Sequence, residues 1–114
     1  MSRVEDFTTF RKRMNERILG HDNQVVRRFF ALDTQTYQNG ALDVKTKEML
    51  GLVASLVLRC DDCVSYHVAQ CKDAGVSEDE FFEIFSVGLV VGGSIVIPHL
   101  RRAVDFLDEI SKPA

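Results

Sequence analysis

Between Arg59 and His67 the chain reads Arg-Cys-Asp-Asp-Cys-Val-Ser-Tyr-His, so two thiols, Cys60 and Cys63, stand three residues apart and an imidazole, His67, follows four residues later. On a helix this spacing brings all three to one face. Asp61 and Asp62 suit the first turn of a helix that starts near Cys60, where unpaired backbone N–H groups stabilise a thiolate. Cys-x-x-Cys at a helix N-terminus is the geometry of thiol–disulfide exchange. His67, one turn beyond Cys63, can take the thiol proton as a general base. Glu48 lies twelve residues before Cys60 and is followed on nearly the same face by Gly51, Ser55 and Arg59. Small residues there allow another helix to approach closely. If that helix carries the cysteines, the Glu48 carboxylate meets the His67 imidazole and fixes its tautomer. By this reasoning the first cysteine has the lower thiol pKa, and the two aspartates oppose a thiolate unless Arg59 and the helix terminus offset them.

Each residue has a plainer explanation. Cys-x-x-Cys alone is a weak pattern, a lone Glu on a helix is usually solvated, and a lone His usually packs. The combination is much rarer than its parts. Zinc is the main rival, with Cys60, Cys63, His67 and Cys71 as ligands, but one straight helix rises roughly 16 Å from residue 60 to residue 71, so all four cannot converge on one ion. Three ligands and an open position remain an alternative. A non-catalytic interaction module would leave the cysteine and histidine spacing unexplained. Cys71 reads as a packed thiol, His21 as a loop residue and His99 as an ordinary helix residue after Pro98.

The elements that must position these groups all read as helices. Ser2-x-x-Glu5 opens the first, which carries Phe7, Phe10, Met14, Ile18 and Leu19 and ends near Gly20. Asp22 or Asn23 caps a second that stops at Asn39-Gly40. A third runs from Asp43 through the apolar segment ending at Leu58 and breaks at Cys60 to Asp62. The fourth spans about residues 61 to 74 and ends at Gly75. Ser77-x-x-Glu80 opens the fifth, which Gly92-Gly93 closes, and the sixth runs from about Ile97 to Ile110. The expected fold is an all-α, single-domain bundle of about six helices.

Composition narrows the field further. In 114 residues, 46% are apolar and 27% charged, which is ordinary globular chemistry. A net charge of −3 lacks the positive field of nucleic-acid binding, and the charge-free stretch from Ile84 to Leu100 is interrupted before membrane-spanning length. Three cysteines with no export signal point to a reducing, cytoplasmic setting. The third and fifth helices are apolar on more than one face, so a homo-oligomer is expected to cover the excess.

The arrangement Glu48, eleven residues, Cys60, two residues, Cys63, three residues, His67 resembles the alkylhydroperoxidase D-like proteins of the carboxymuconolactone decarboxylase superfamily. Lys47-Glu48-Met49-Leu50 looks like that family's lead-in, and Ala74-Gly75-Val76-Ser77 with Glu80 like its turn into the next helix. The likeness covers roughly Leu42 to Gly93. Residues 1–38 stand outside it as an N-terminal helical extension to a core over 39–114. The resemblance implies an all-helical protein assembled as trimers or hexamers that reduces peroxides through the cysteine pair. It implies Cys63 as the peroxidatic thiol, Cys60 as its resolving and more exposed partner, and Glu48 with His67 as a proton relay. No bound cofactor is implied. An electron-donor protein would supply an external dithiol, such as a lipoyl group. The superfamily's decarboxylase branch generally lacks the cysteine pair, so a non-redox, decarboxylase-like enzyme is the alternative within the family.

Overall fold

A computed structural model describes residues 2–112. Six helices follow one another: α1 (Arg3–Leu19), α2 (Gln24–Thr36), α3 (Val44–Leu58), α4 (Asp61–Asp73), α5 (Glu78–Gly92) and α6 (Ile97–Ile110), with a 3₁₀ turn, Ser94–Val96, leading into α6. Among the described residues there is no strand. No helix among them is long and apolar enough to cross a membrane.

Local chemistry sets most of the boundaries. The Ser2 hydroxyl accepts the Glu5 N–H at 3.0 Å, and Asn23, not Asp22, caps α2 by accepting the Val26 N–H at 3.1 Å. At α5 the capping box is complete: the Ser77 hydroxyl accepts from Glu80 N–H, and the Glu80 carboxylate accepts from Ser77 N–H at 2.8 Å. The Lys45 ammonium lies 3.2 Å from the same carboxylate, and these donors hold it below the usual range. The α2 helix stops at Thr36, short of the Asn39-Gly40 expected to end it. In its last turns the Thr34 and Thr36 hydroxyls donate to the carbonyls of Phe30 and Leu32, a side-chain competition that weakens the end of a helix before any glycine is reached.

Contacts cluster into two units, Met1–Asp43 and Val44–Ala114. In the first, α1 and α2 pack on each other, and neither contains a fully buried residue. In the second, α3 packs against both α4 and α5, and α4 packs against α6. The core of this unit is Leu52 and Leu56 from α3, Val64, Val68 and Cys71 from α4, Phe81 and Phe85 from α5, and Phe106 and Leu107 from α6, with Val76, Val96 and Ala103 filling between them. Fully burying a side chain of this size contributes about 1.5–3 kcal/mol. The polar residues buried with them are Glu48, Ser55 and His67.

Candidate active site

The site begins where α3 ends. Cys60 N–H donates to the Ser55 carbonyl and Arg59 N–H to the Leu56 carbonyl, which is a Schellman closure with Arg59 in the left-handed position at φ 61°. Gly75 fills the same position at the end of α4, with φ 89°. Because Arg59 reverses the chain in one residue, Cys60 becomes the N-cap of α4. Its sulfur accepts the Cys63 N–H at 3.4 Å, one of the unpaired donors of the helix start.

The two sulfurs lie 2.7 Å apart in a thiol–thiol hydrogen bond, and both cysteines are unpaired covalently. The hydrogen bond to Cys60, together with loss of hydration and repulsion from Cys60 and Asp62, pushes the Cys63 thiol up to about 11, against a lowering pull from its own backbone N–H. Cys63 is the exposed member of the pair and Cys60 the half-buried one. This reverses the expectation that Cys60 is the more exposed. The cause is the cap itself, since a sulfur that closes the helix start is folded under it.

Beneath the first turns of α4, His67 Nδ1 meets Glu48 Oε1 at 2.8 Å, the hydrogen bond for which the small residues on α3 suggested room. Both side chains are buried, at 8% and 3% residue exposure. Gly51 makes the approach feasible: a Cβ there would stand 2.6 to 2.9 Å from three atoms of the His67 ring. The imidazole therefore lies directly against α3 at Gly51, and any larger residue at position 51 would occupy its place. Ser55, one turn later, turns its hydroxyl back to the Gly51 carbonyl at 2.7 Å and leaves no unsatisfied polar atom at the contact. In a neutral ring whose Nδ1–H donates to the carboxylate, Nε2 is the nitrogen left to accept a proton. Cys63 and His67 are one turn apart on α4, the i, i+4 relation that makes helical side chains neighbours.

Cys71, a turn further along, is wholly buried, and burial followed by the Glu48 charge pushes its thiol up to about 12. It is packed in the core about two turns along α4 from Cys63. Among the described residues no three His, Cys, Asp or Glu side chains are grouped to hold a metal ion, so the zinc arrangement has no geometric counterpart there.

Two residues join this neighbourhood that sequence reasoning passed over. His99 Nδ1 lies 2.7 Å from Asp61 Oδ1, and Arg102 Nη1 donates to Asp61 Oδ2 at 3.0 Å. The carboxylate between the thiols is thus paired from α6, and His99 is more than an ordinary helix residue. A His and an Arg three apart on one helix face were visible in the chain, but an aspartate 38 residues away gave no local sign of meeting them.

The comparisons with known proteins agree with this architecture. The profile of the carboxymuconolactone decarboxylase family matches residues 23–106. The chain belongs to the carboxymuconolactone decarboxylase family. Two crystal structures of a Thermotoga maritima protein superpose with TM-scores of 0.89 and 0.87 at 55% and 54% identity, covering 93% and 92% of this chain and 93% and 89% of theirs. The second is described as a carboxymuconolactone decarboxylase family protein with a possible part in the antioxidative response. A family member from Legionella pneumophila, in its apo form, aligns with a TM-score of 0.72 at 26% identity over 96% of this chain and 94% of its own. An uncharacterised protein of the cox locus in Paracoccus denitrificans is 28% identical over 82 residues, 72% of this chain and 74% of that one. Membership of the family is consistent with the alkylhydroperoxidase D-like resemblance of the Glu48, Cys60, Cys63 and His67 spacing.

Proposed function

We propose that this carboxymuconolactone decarboxylase family member is a dithiol peroxidase, in which Cys60 and Cys63 reduce hydroperoxides and Glu48 with His67 moves the proton. The observation that carries the reading is the buried Glu48–His67 hydrogen bond one helical turn from the exposed thiol of a cysteine pair. A thiol pushed up to about 11 is protonated at neutral pH and needs a base to attack, and a neutral imidazole held in one tautomer by a carboxylate is such a base.

In the first step the Cys63 proton passes to His67 Nε2 as the sulfur attacks a peroxide oxygen. The O–O bond breaks, the departing alkoxide takes the proton from the imidazolium, and an alcohol leaves Cys63 as a sulfenic acid. Cys60 then attacks the Cys63 sulfur and the S–O bond breaks. Hydroxide combines with the Cys60 proton as water, and the two cysteines are left as a disulfide. One hydroperoxide and two thiols thus yield one alcohol, one water and one disulfide. An external dithiol of the lipoyl class restores the pair by exchange: it attacks the exposed Cys63 sulfur, and Cys60 leaves as a thiolate facing the helix N-terminus. The reading retains Cys63 as the peroxidatic thiol and Cys60 as the resolving one. The antioxidative description of the Thermotoga maritima relative supports it.

Steady-state turnover of an organic hydroperoxide with dihydrolipoamide as reductant tests the reading. Consumption of both reagents in equal amounts, abolished in Cys63→Ser and in Cys60→Ser, is the expected result. Turnover that survives both substitutions would assign the chemistry elsewhere.

A further inference from the structure

Asp61 is the first residue of α4 and lies between the two thiols in sequence, and both of its carboxylate oxygens are engaged by α6. His99 and Arg102 stand three residues apart on one face of α6, which packs on α4. Pro98, within the first turn of α6, fixes the backbone immediately before His99. Side-chain exposure is 19% for His99, 43% for Asp61 and 47% for Arg102, so the cluster is partly shielded from solvent.

An unrestrained carboxylate at this position has two effects on a neighbouring dithiol. Its charge opposes a thiolate. Its oxygens can also turn back to the free N–H groups of their own helix start, where they compete with the Cys60 sulfur for the Cys63 N–H. Held toward α6, the Asp61 carboxylate is offset by the Arg102 guanidinium and cannot fold over the helix terminus. We propose that His99 and Arg102 are positioning residues for the Cys60–Cys63 dithiol, acting through Asp61 to keep the first turn of α4 available to a thiolate. This rests on the reading of the pair as redox-active. Other charged groups on or against this turn are Asp62 beside Cys63, Arg59 just past the end of α3 and the Glu48–His67 pair beneath. Among the described residues, the hydrogen bonds and ion pairs of the Asp61 carboxylate go to His99 and Arg102.

Alkylation of the reduced protein tests the proposal. The rate at Cys60 and Cys63 is followed by mass spectrometry from pH 6 to 10, alongside the dithiol–disulfide equilibrium in dithiothreitol redox buffers. Arg102→Gln is expected to displace the rate–pH profile upward by about half a pH unit across this range, which slows the reaction at pH 7 roughly threefold. With the thiolate less favoured, the reduced form loses stabilisation and the equilibrium moves toward the disulfide. His99→Ala should move both in the same sense, and Arg102→Lys, which keeps the charge, should largely restore the wild-type profile. In the Asp61→Asn background, Arg102→Gln should have less than half its effect, because the arginine acts through the carboxylate. An unmoved profile in Arg102→Gln overturns the proposal, and so does a full shift that persists without the Asp61 carboxylate. Alkylation requires no peroxide. If wild-type protein kept both thiols in the presence of hydroperoxide, the peroxidase reading would fail while these profiles still judged the role of His99 and Arg102.

Discussion

Glu48 and His67 are both ionisable and both withdrawn from water, and removing one partner of such a pair leaves the other buried without its hydrogen bond. Glu48→Gln keeps shape and hydrogen-bonding capacity but removes the charge that favours an imidazolium. The alkylation profile of the cysteine pair should move to higher pH. His67→Asn should slow alkylation at least as much, and the double substitution should cost less than the sum, since both act on one proton. Unchanged rates from pH 6 to 9 in Glu48→Gln would remove Glu48 from the site. Gly51→Ala tests the same contact from α3: the new methyl falls 2.6 Å from the ring, so the imidazole must shift, with a stability loss of about 1–3 kcal/mol and slowed alkylation. A mutant with wild-type alkylation would contradict the packing argument. Cys71 behaves differently. Its thiol is protonated in the fold up to about pH 12, whereas an unfolded thiol ionises near 9, so between these values the unfolded state sheds a proton that the folded state keeps. Stability is therefore lost as pH rises above 9. Melting temperatures from pH 8 to 11 should fall less steeply in Cys71→Ala than in wild type.

At the scale of the element, the turn between α3 and α4 holds the dithiol in place with an arginine in a conformation that favours glycine. Left-handed backbone at a non-glycine residue costs about 1–2 kcal/mol, so Arg59→Gly should raise stability toward urea by about 0.5–1 kcal/mol after the entropy of glycine is counted. A loss of stability would mean that the Arg59 side chain contributes more than its backbone costs. This turn also marks how far the sequence could be read. The break at Cys60 to Asp62 was visible because the apolar run ends there and two acidic residues follow. Arg59 as the reversing residue was not, because nothing in its chemistry prefers positive φ. Serine and glutamate announced α5 because a capping box is local in sequence. The meeting of Glu48 with His67 could be inferred from Gly51 and Ser55, since small residues mark a close approach. The clamp on Asp61 could not, because its partners lie 38 and 41 residues away and their spacing suits any amphipathic helix. The relative exposure of the two thiols was misjudged for a related reason: which sulfur closes a helix start depends on the turn before it.

At the scale of the whole chain, both units leave large apolar side chains exposed. On α2, Val25, Phe29 and Leu32 form a stripe at helical spacing, with Phe29 68% exposed, and on α3 and α5 Leu58 and Val90 are 76% and 86% exposed. Surfaces of this kind on a small chain call for a partner, and we propose that a second copy supplies it. Light scattering at micromolar concentration should give a mass of several chains, and a lasting 13 kDa species would contradict that. The claim on which the rest depends is narrower: in this fold, Cys60 and Cys63 act together on a peroxide while Cys71 is a core residue. Reduced protein treated anaerobically with one equivalent of organic hydroperoxide, then alkylated, digested and mapped, tests it most directly. The expected products are a Cys60–Cys63 disulfide in nearly every chain and one equivalent of alcohol, with Cys71 alkylated only after unfolding. A bridge involving Cys71, or two free thiols at positions 60 and 63 after the peroxide has been supplied, would contradict it.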